Sequence, residues 1–434
     1  MADLSFVRKE IIPQRAAPLS QTGIIGWFRK NMFSDIPNTI LTIIVGYFII
    51  SILGNILPWV FSPTWNSVSL TECRGILAEL GRSGHGGGGA CWGVIRERWL
   101  QLLFGFYPSE LYWRPILAFV LLGLALAPVL FDKASRKLIY LTAIYPFLCF
   151  WLIWGGSIWF PVIVFSGFIV AYLGYVYVNK AFGSLAGVIA SIALPVLWWL
   201  FITSPLSILL HSIMPIGSEA IESDRLGGFM LAVLIGVTGI ALSLPIGILL
   251  ALGRQSNLPI LKAVCVCFIE FIRGVPLITL LFVASTLLNI FLPPGSNFDL
   301  ILRVMIMVTL FASAYMAEVV RGGLAALPKG QYEAADSLGL DYWKAQRLII
   351  MPQALKISIP GIVSTFIGLF KDTTLVSIIG LLDPLGLSTN IRADMAWNGI
   401  LWELYGFVGL IFFIFCFSMS RYSMYLERKL ATGH

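Results

Sequence analysis

Charged side chains are scarce in this chain: Asp, Glu, Lys and Arg together make up 12% of its 434 residues. A soluble globular domain carries roughly 25%. That deficit excludes a soluble enzyme, and the long apolar runs exclude a disordered chain. Histidine is scarcer still. His85, His211 and His434 are too scattered to form a metal-binding cluster. The sequence has no Gly-x-x-x-x-Gly-Lys-[Ser/Thr] phosphate loop, so it cannot hydrolyse ATP by that route. No Gly-x-Ser-x-Gly element appears either, which leaves a membrane-embedded enzyme without a recognisable site. Basic residues exceed acidic ones and give a net charge of +7. They lie in short clusters between apolar runs, the pattern of membrane-protein loops and not of a nucleic-acid surface.

What the chain has in abundance is apolar length, with 58% hydrophobic residues. Ten apolar segments lie at about 36–61, 115–131, 138–156, 157–178, 184–210, 227–252, 263–292, 300–320, 357–381 and 400–420. A helix needs about 20 residues to cross a bilayer. The expectation is an all-α polytopic membrane protein with about ten transmembrane helices. The third and fourth segments touch at Gly155-Gly156, either as a tight hairpin or with a different division. Arg8, Lys9, Arg15, Arg29 and Lys30 precede the first apolar run, so no cleavable signal peptide is expected.

Lys and Arg in the connections set the orientation. The basic arm 1–35, the turn 132–137, Asn179-Lys180, Arg254 with Lys262, the stretch 321–356 and the tail 426–434 fall on one side if both termini are cytoplasmic. The connection 211–226 carries Glu219, Glu222 and Asp224 against one Arg and falls on the other. The loop 62–114 is also external in this scheme, despite five Arg. This divides the chain into an accessory membrane region at 36–210 and a second membrane region at 227–425. Cys73 and Cys91 bracket the glycine run 81–89 in the external loop. A disulfide between them fits a periplasmic location; free thiols fit equally well. The run reads as linker, since no Lys-Ser or Lys-Thr follows it. Cys149, Cys265, Cys267 and Cys416 read as packing residues.

The stretch 321–356 is too polar to span a membrane and too regular to be a loose loop. Local rules predict two short helices joined by a bend at Gly339-Leu340. Gly339 accepts the left-handed conformation that closes a helix, Asp341 can cap the next, and Pro352 is expected to end it. The first helix carries Ala334 and Ala335 beside Glu333, small side chains that let another surface approach closely.

The order Glu333-Ala334-Ala335, three residues, Gly339, nine residues, Ile349, one residue, Met351-Pro352 resembles the EAA motif of ABC importer permeases. Met351 replaces the family's Leu, an apolar swap of similar volume. Glu270 to Leu277, Ala314 to Gly323, Leu327 to Gln331 and Lys371 to Leu375 resemble stretches of the polar amino-acid branch. The extra N-terminal spans are similar in arrangement to the larger permease of general L-amino acid systems.

The resemblance implies a type I importer core of five C-terminal helices, with 328–352 as the cytoplasmic coupling segment. It implies that Glu333, Ala334, Ala335 and Gly339 dock an ABC ATPase subunit, present in two copies, which binds ATP and Mg. It further implies a second permease chain, identical or not, a periplasmic amino-acid-binding protein, an amino-acid substrate and an inner-membrane location. A secondary transporter or channel is the competing reading, but no matching broken helices are found in two halves.

Charge at membrane depth costs roughly 2.5–3.5 kcal/mol per group on insertion scales and marks function by default. Lys371 and Asp372 lie about mid-segment in 357–381, followed by Thr373 and Thr374. They either pair with other helices or line the translocation path. Arg273 sits beside the Gly274–Pro276 break, where spans tend to build sites, though snorkelling is the alternative. Glu318 and Arg321 share a helix face and are expected to pair locally.

Overall fold

The structure is a computed structural model that describes residues 23–82, 88–287, 290 and 299–430. The arm up to residue 22, residues 83–87 of the glycine run with His85, the end of the apolar segment 263–292 and the last tail residues with His434 lie outside the described residues. The chain divides into two compact units, Met1–Gly93 and Val94–His434.

The first unit begins with α1 (Gly23–Asn31) and α2 (Ile36–Val60). Asp35 caps α2 by accepting the amide of Asn38 at 2.8 Å, with Pro37 in the first turn, where its missing amide costs no bond. No residue of α2 is buried. The segment after it is folded. Helix α3 (Leu70–Glu79) starts at Ser69, whose hydroxyl accepts from the amide of Glu72, while Glu72 reaches back to the amide of Val68. Cys73 and Cys91 are joined by a disulfide, with Cα atoms 5.9 Å apart. Trp65 stacks on Trp92, whose indole donates to the carbonyl of Val60 at 2.6 Å. The buried hydroxyl of Thr64 meets the carbonyl of Ala90.

The second unit opens with α4 (Gly93–Phe104), then α5 (Trp113–Leu130), α6 (Ile139–Trp154) and α7 (Trp159–Phe182). Helices α8 (Ser184–Leu197) and α9 (Thr203–Ile213) form one long span through a π-turn at Trp198–Ile202. Gly155 and Gly156 take φ of +69° and +77°, so the third and fourth apolar segments turn sharply there. A two-residue strand β1 (Gly156–Ser157) follows and pairs antiparallel with β2 (Gly217–Ser218).

The importer-like region contains α10 (Gly228–Gln255), α11 (Pro259–Gly274), α12 (Leu277–Phe282) and α13 (Leu300–Ala325). Then come α14 (Lys329–Ser337), α15 (Tyr342–Ala345), α16 (Met351–Asp372), α17 (Pro384–Ala393) and α18 (Trp402–Leu430). Helices α10 and α13 pack closely because α10 offers glycines. A Cβ on Gly247 would lie 2.7 Å from that of Met316. Without a hydrophobic drive between helices in lipid, such close approach is what holds spans together.

Nine helices among the described residues are long and apolar enough to cross a membrane. The tenth expected span is broken. Helix α11 and the stretch Leu277–Leu287 meet at 103° around Val275-Pro276, since Pro276 supplies no amide to continue the helix. The pair still travels the depth of the bundle. Glu270 shares Arg254 with Glu318 of α13, whereas Arg303 of α13 donates to the carbonyl of Ser285. Arg303 and Glu318 are fifteen residues apart on one helix, about 22 Å of rise.

Candidate functional site

Helix α14 starts behind Pro328 and stops at Gly339, which has φ +67°. The amide of Gly339 donates to the carbonyl of Asp336, and that of Leu340 to Ala335. Together they satisfy the last carbonyls in a Schellman closure. Asp341 then caps α15 by accepting the amide of Lys344 at 2.9 Å. Hydrogen bonding from Lys344 holds the Asp341 carboxyl below its ordinary range.

The helix does not end at Pro352. It passes through a π-turn at Gln346–Ile350 into α16, with Pro352 in the first α-turn. This corrects the expectation. The wider turn takes up the missing donor, and a first-turn proline is tolerated. The bend at Gly339 is therefore followed by one continuous helical rod down to Asp372.

The seating of α14 is asymmetric. Ala335 is buried, while Glu333, Ala334 and Gly339 are exposed. Tyr332 donates to the carbonyl of Leu324 at 3.3 Å, and Gln331 meets Gln353 at 3.0 Å. The outer side carries large apolar groups: Leu338 is 72% exposed and Trp343 65% exposed, with Tyr342 and Leu348 beside them.

Just before α14, three helices meet in a charged knot. One oxygen of Glu318 accepts from Arg254 at 2.7 Å, and the other accepts from Arg321 at 2.8 and 3.0 Å. Arg254 also donates to Glu270 at 2.7 Å. Arg273 lies 3.8 Å from Glu318, with its guanidinium over the Tyr315 ring. The buried Nε of Arg273 has no acceptor among the described residues. The Glu318–Arg321 pairing follows from helical spacing. The hub role of Arg254 does not, because 64 residues separate it from Glu318 and only the α10–α13 packing joins them.

Lys371 and Asp372 sit at the end of α16, where the helix tightens into a 3-10 turn over Thr373–Ile379, and not at mid-helix. Lys371 is exposed and Asp372 and Thr374 are half-buried. Thr373 is set differently. It is completely buried, unlike its neighbours Lys371, Asp372 and Thr374, and its hydroxyl donates to the carbonyl of Phe370 at 2.7 Å. Thr373 stands level with Gly236 of α10, whereas Met316 stands level with Gly247. Those eleven residues of helix are about 16 Å of rise. Arg273 and the Lys371-Asp372 pair therefore occupy two depths and form no single constellation.

Residues 243–432 match the family model of the binding-protein-dependent transport system inner membrane component. Over 437 residues, covering all of both chains, this sequence is 60% identical to the glutamate/glutamine/aspartate/asparagine transport system permease protein BztC of Rhodobacter capsulatus. The chain belongs to the amino-acid ABC importer permeases. It is 40% identical to the inner membrane amino-acid ABC transporter permease protein YhdY of Escherichia coli K12, over 97% of each chain. A crystal structure of an amino acid ABC transporter with histidines matches 46% of this permease and 91% of its own chain, at 29% identity and a TM-score of 0.42. The permease is thus a multi-pass transport component and not an enzyme.

Proposed function

We propose that this permease imports acidic amino acids and their amides across the bacterial inner membrane. An ABC ATPase drives it from the cytoplasm, and a binding protein delivers solute from the periplasm. The observation that carries this reading is the rod-and-bend geometry of 328–372. A short helix exposes Glu333 and Ala334, is flanked by exposed Leu338, Tyr342 and Trp343, and is followed after the Gly339 bend by one helical stretch that runs into the apolar segment. Unpaired apolar groups on a polar connection mark a docking surface. The substrate class is supported by the name of the Rhodobacter relative.

In this reading both termini and the coupling segment are cytoplasmic, two ATPase copies bind ATP and Mg, and a second permease chain completes the pathway. The accessory region covers 36–210 and the importer domain 227–425. The loop containing Cys73 and Cys91 is periplasmic, where a disulfide persists. Arg273, Lys371, Asp372 and Thr374 border the path at two depths, with Arg273 suited to a carboxylate because arginine offers a planar fork of donors.

The test is reconstitution of the complex in proteoliposomes with labelled glutamate. Import is expected only with ATP, ATPase and receptor together. Uptake that persists on an ion gradient without ATP would favour a secondary transporter instead.

A further inference from the structure

Helix α16 leads away from the coupling segment, so α17 lies at the opposite mouth of the bundle. This short helix is held at both ends. At its start, Asp383 is fully buried and accepts the amides of Gly386 at 2.8 Å and Leu385 at 3.2 Å. At its end, Asp394 uses one oxygen to accept the amide of Ala396 at 2.9 Å. Its other oxygen meets Arg98 of α4 at 2.5 Å. The two residues are 296 positions apart in sequence. Both side chains are about one-third exposed, 32% and 35%.

The same two regions also touch through backbone. Gly105, directly after α4, forms a bridge with Leu226. The amide of Gly228 donates to the carbonyl of Leu382 at 2.7 Å, immediately before Asp383. Gly105 has φ +70°, and a Cβ there would lie 2.5 Å from the Cα of Gly227. Only glycine permits this approach. Thus α4, the start of α10 and the start of α17 are fastened to one another. Helix α17 lies inside the family-matched stretch 243–432 and Arg98 lies outside it.

We propose that α4 is a brace for the mouth helix α17, and that Arg98 and Asp394 are positioning residues for transport. The accessory region, which also meets the importer core elsewhere, as where Tyr422 donates to the carbonyl of Leu130, would then act on the mouth helix itself through this ion pair and the adjoining glycine contact. The inference rests on the transport reading above.

The test compares wild type with R98E, D394K, the R98E/D394K swap and D394N, each in the complete complex with ATPase and receptor. Labelled glutamate import, ATP hydrolysed per glutamate and the thermal midpoint of the complex are read together. Each single variant is expected to lower import at least about fivefold, within the usual range of coupling between sites, and to raise ATP hydrolysed per glutamate. The swap re-forms the ion pair but leaves the Ala396 amide without its cap, so it is expected to raise import at least about threefold above either single variant without fully reaching wild type. D394N keeps an acceptor for the Ala396 amide, so its loss of import would isolate the ion pair from the cap. Unchanged import and midpoint in the single variants, or a swap no better than its worse parent, overturns the brace. If wild type imports nothing while the swap restores a midpoint lowered by the single variants, the transport reading fails and the brace stands.

Discussion

At the residue scale, two positions make different demands. Gly339 holds a left-handed backbone in open space, so its constraint is conformational and not steric. Gly339→Ala should cost about 1 kcal/mol locally. The expected result is weaker retention of the ATPase on co-purification, with little change in the thermal midpoint of the isolated chain. Asp383 is different. Burial pushes its carboxyl up from 3.8 to about 6, against the lowering by its own cap bonds. The folded chain therefore holds this proton more tightly than the unfolded chain does. Its contribution to stability is complete below pH 3.8 and is lost as pH rises through about 6. Asp383→Asn should remove that pH dependence; melting curves across pH 4–7 check it. A slope equal to that of wild type would contradict the assignment.

The element scale is governed by which charges lie where helices meet. Glu318 is 16% exposed and accepts from two arginines on two helices. Glu270 is more than half exposed and meets one. Glu318→Gln should destabilise by about 2 kcal/mol, as loss of hydrogen bonds to charged groups does. Glu270→Gln should cost less than about 1 kcal/mol. Denaturation of the detergent-solubilised chain ranks the two, and equal effects would mean that Glu318 is no more committed to the knot than Glu270. In the first unit, the Cys73–Cys91 bond closes a loop of separation 18. Thiol counting on the denatured chain should give the four free cysteines before reduction and all six afterwards. Breaking the bond should weaken this unit by about 3 kcal/mol on the chain-entropy scale.

At the scale of the whole molecule, the expected behaviour is that of a passive conduit. If an ATPase docks on α14, displacement there is expected to pass along 342–372 towards the far mouth, where α17 is held. Replacing Trp343 by Ala should reduce ATP-driven glutamate import more than tenfold if that exposed ring anchors the ATPase, since buried aromatic anchors carry about 2 kcal/mol or more. Co-purified ATPase should fall in parallel. Import unchanged by this substitution would place the docking surface elsewhere.

The nearly all-helical membrane class, the approximate spans, the bend at Gly339 and the local Glu318–Arg321 pair were legible in the sequence, because each depends on composition or on residues within a few turns of one another. A 20-residue apolar run, a glycine at a helix end and an i, i+3 ion pair are local physical facts. Other features were decided only by tertiary structure. Arg254 reaches Glu318 because α10 packs on α13. Thr373 is buried while Lys371 is exposed because of the way the end of their helix is packed. The seventh span bends because Pro276 coincides with packing that tolerates the break. Arg98 found Asp394 across almost 300 residues. None of these follows from neighbours along the chain, since each depends on which helix faces which, and that is set by close packing of small residues across the whole bundle.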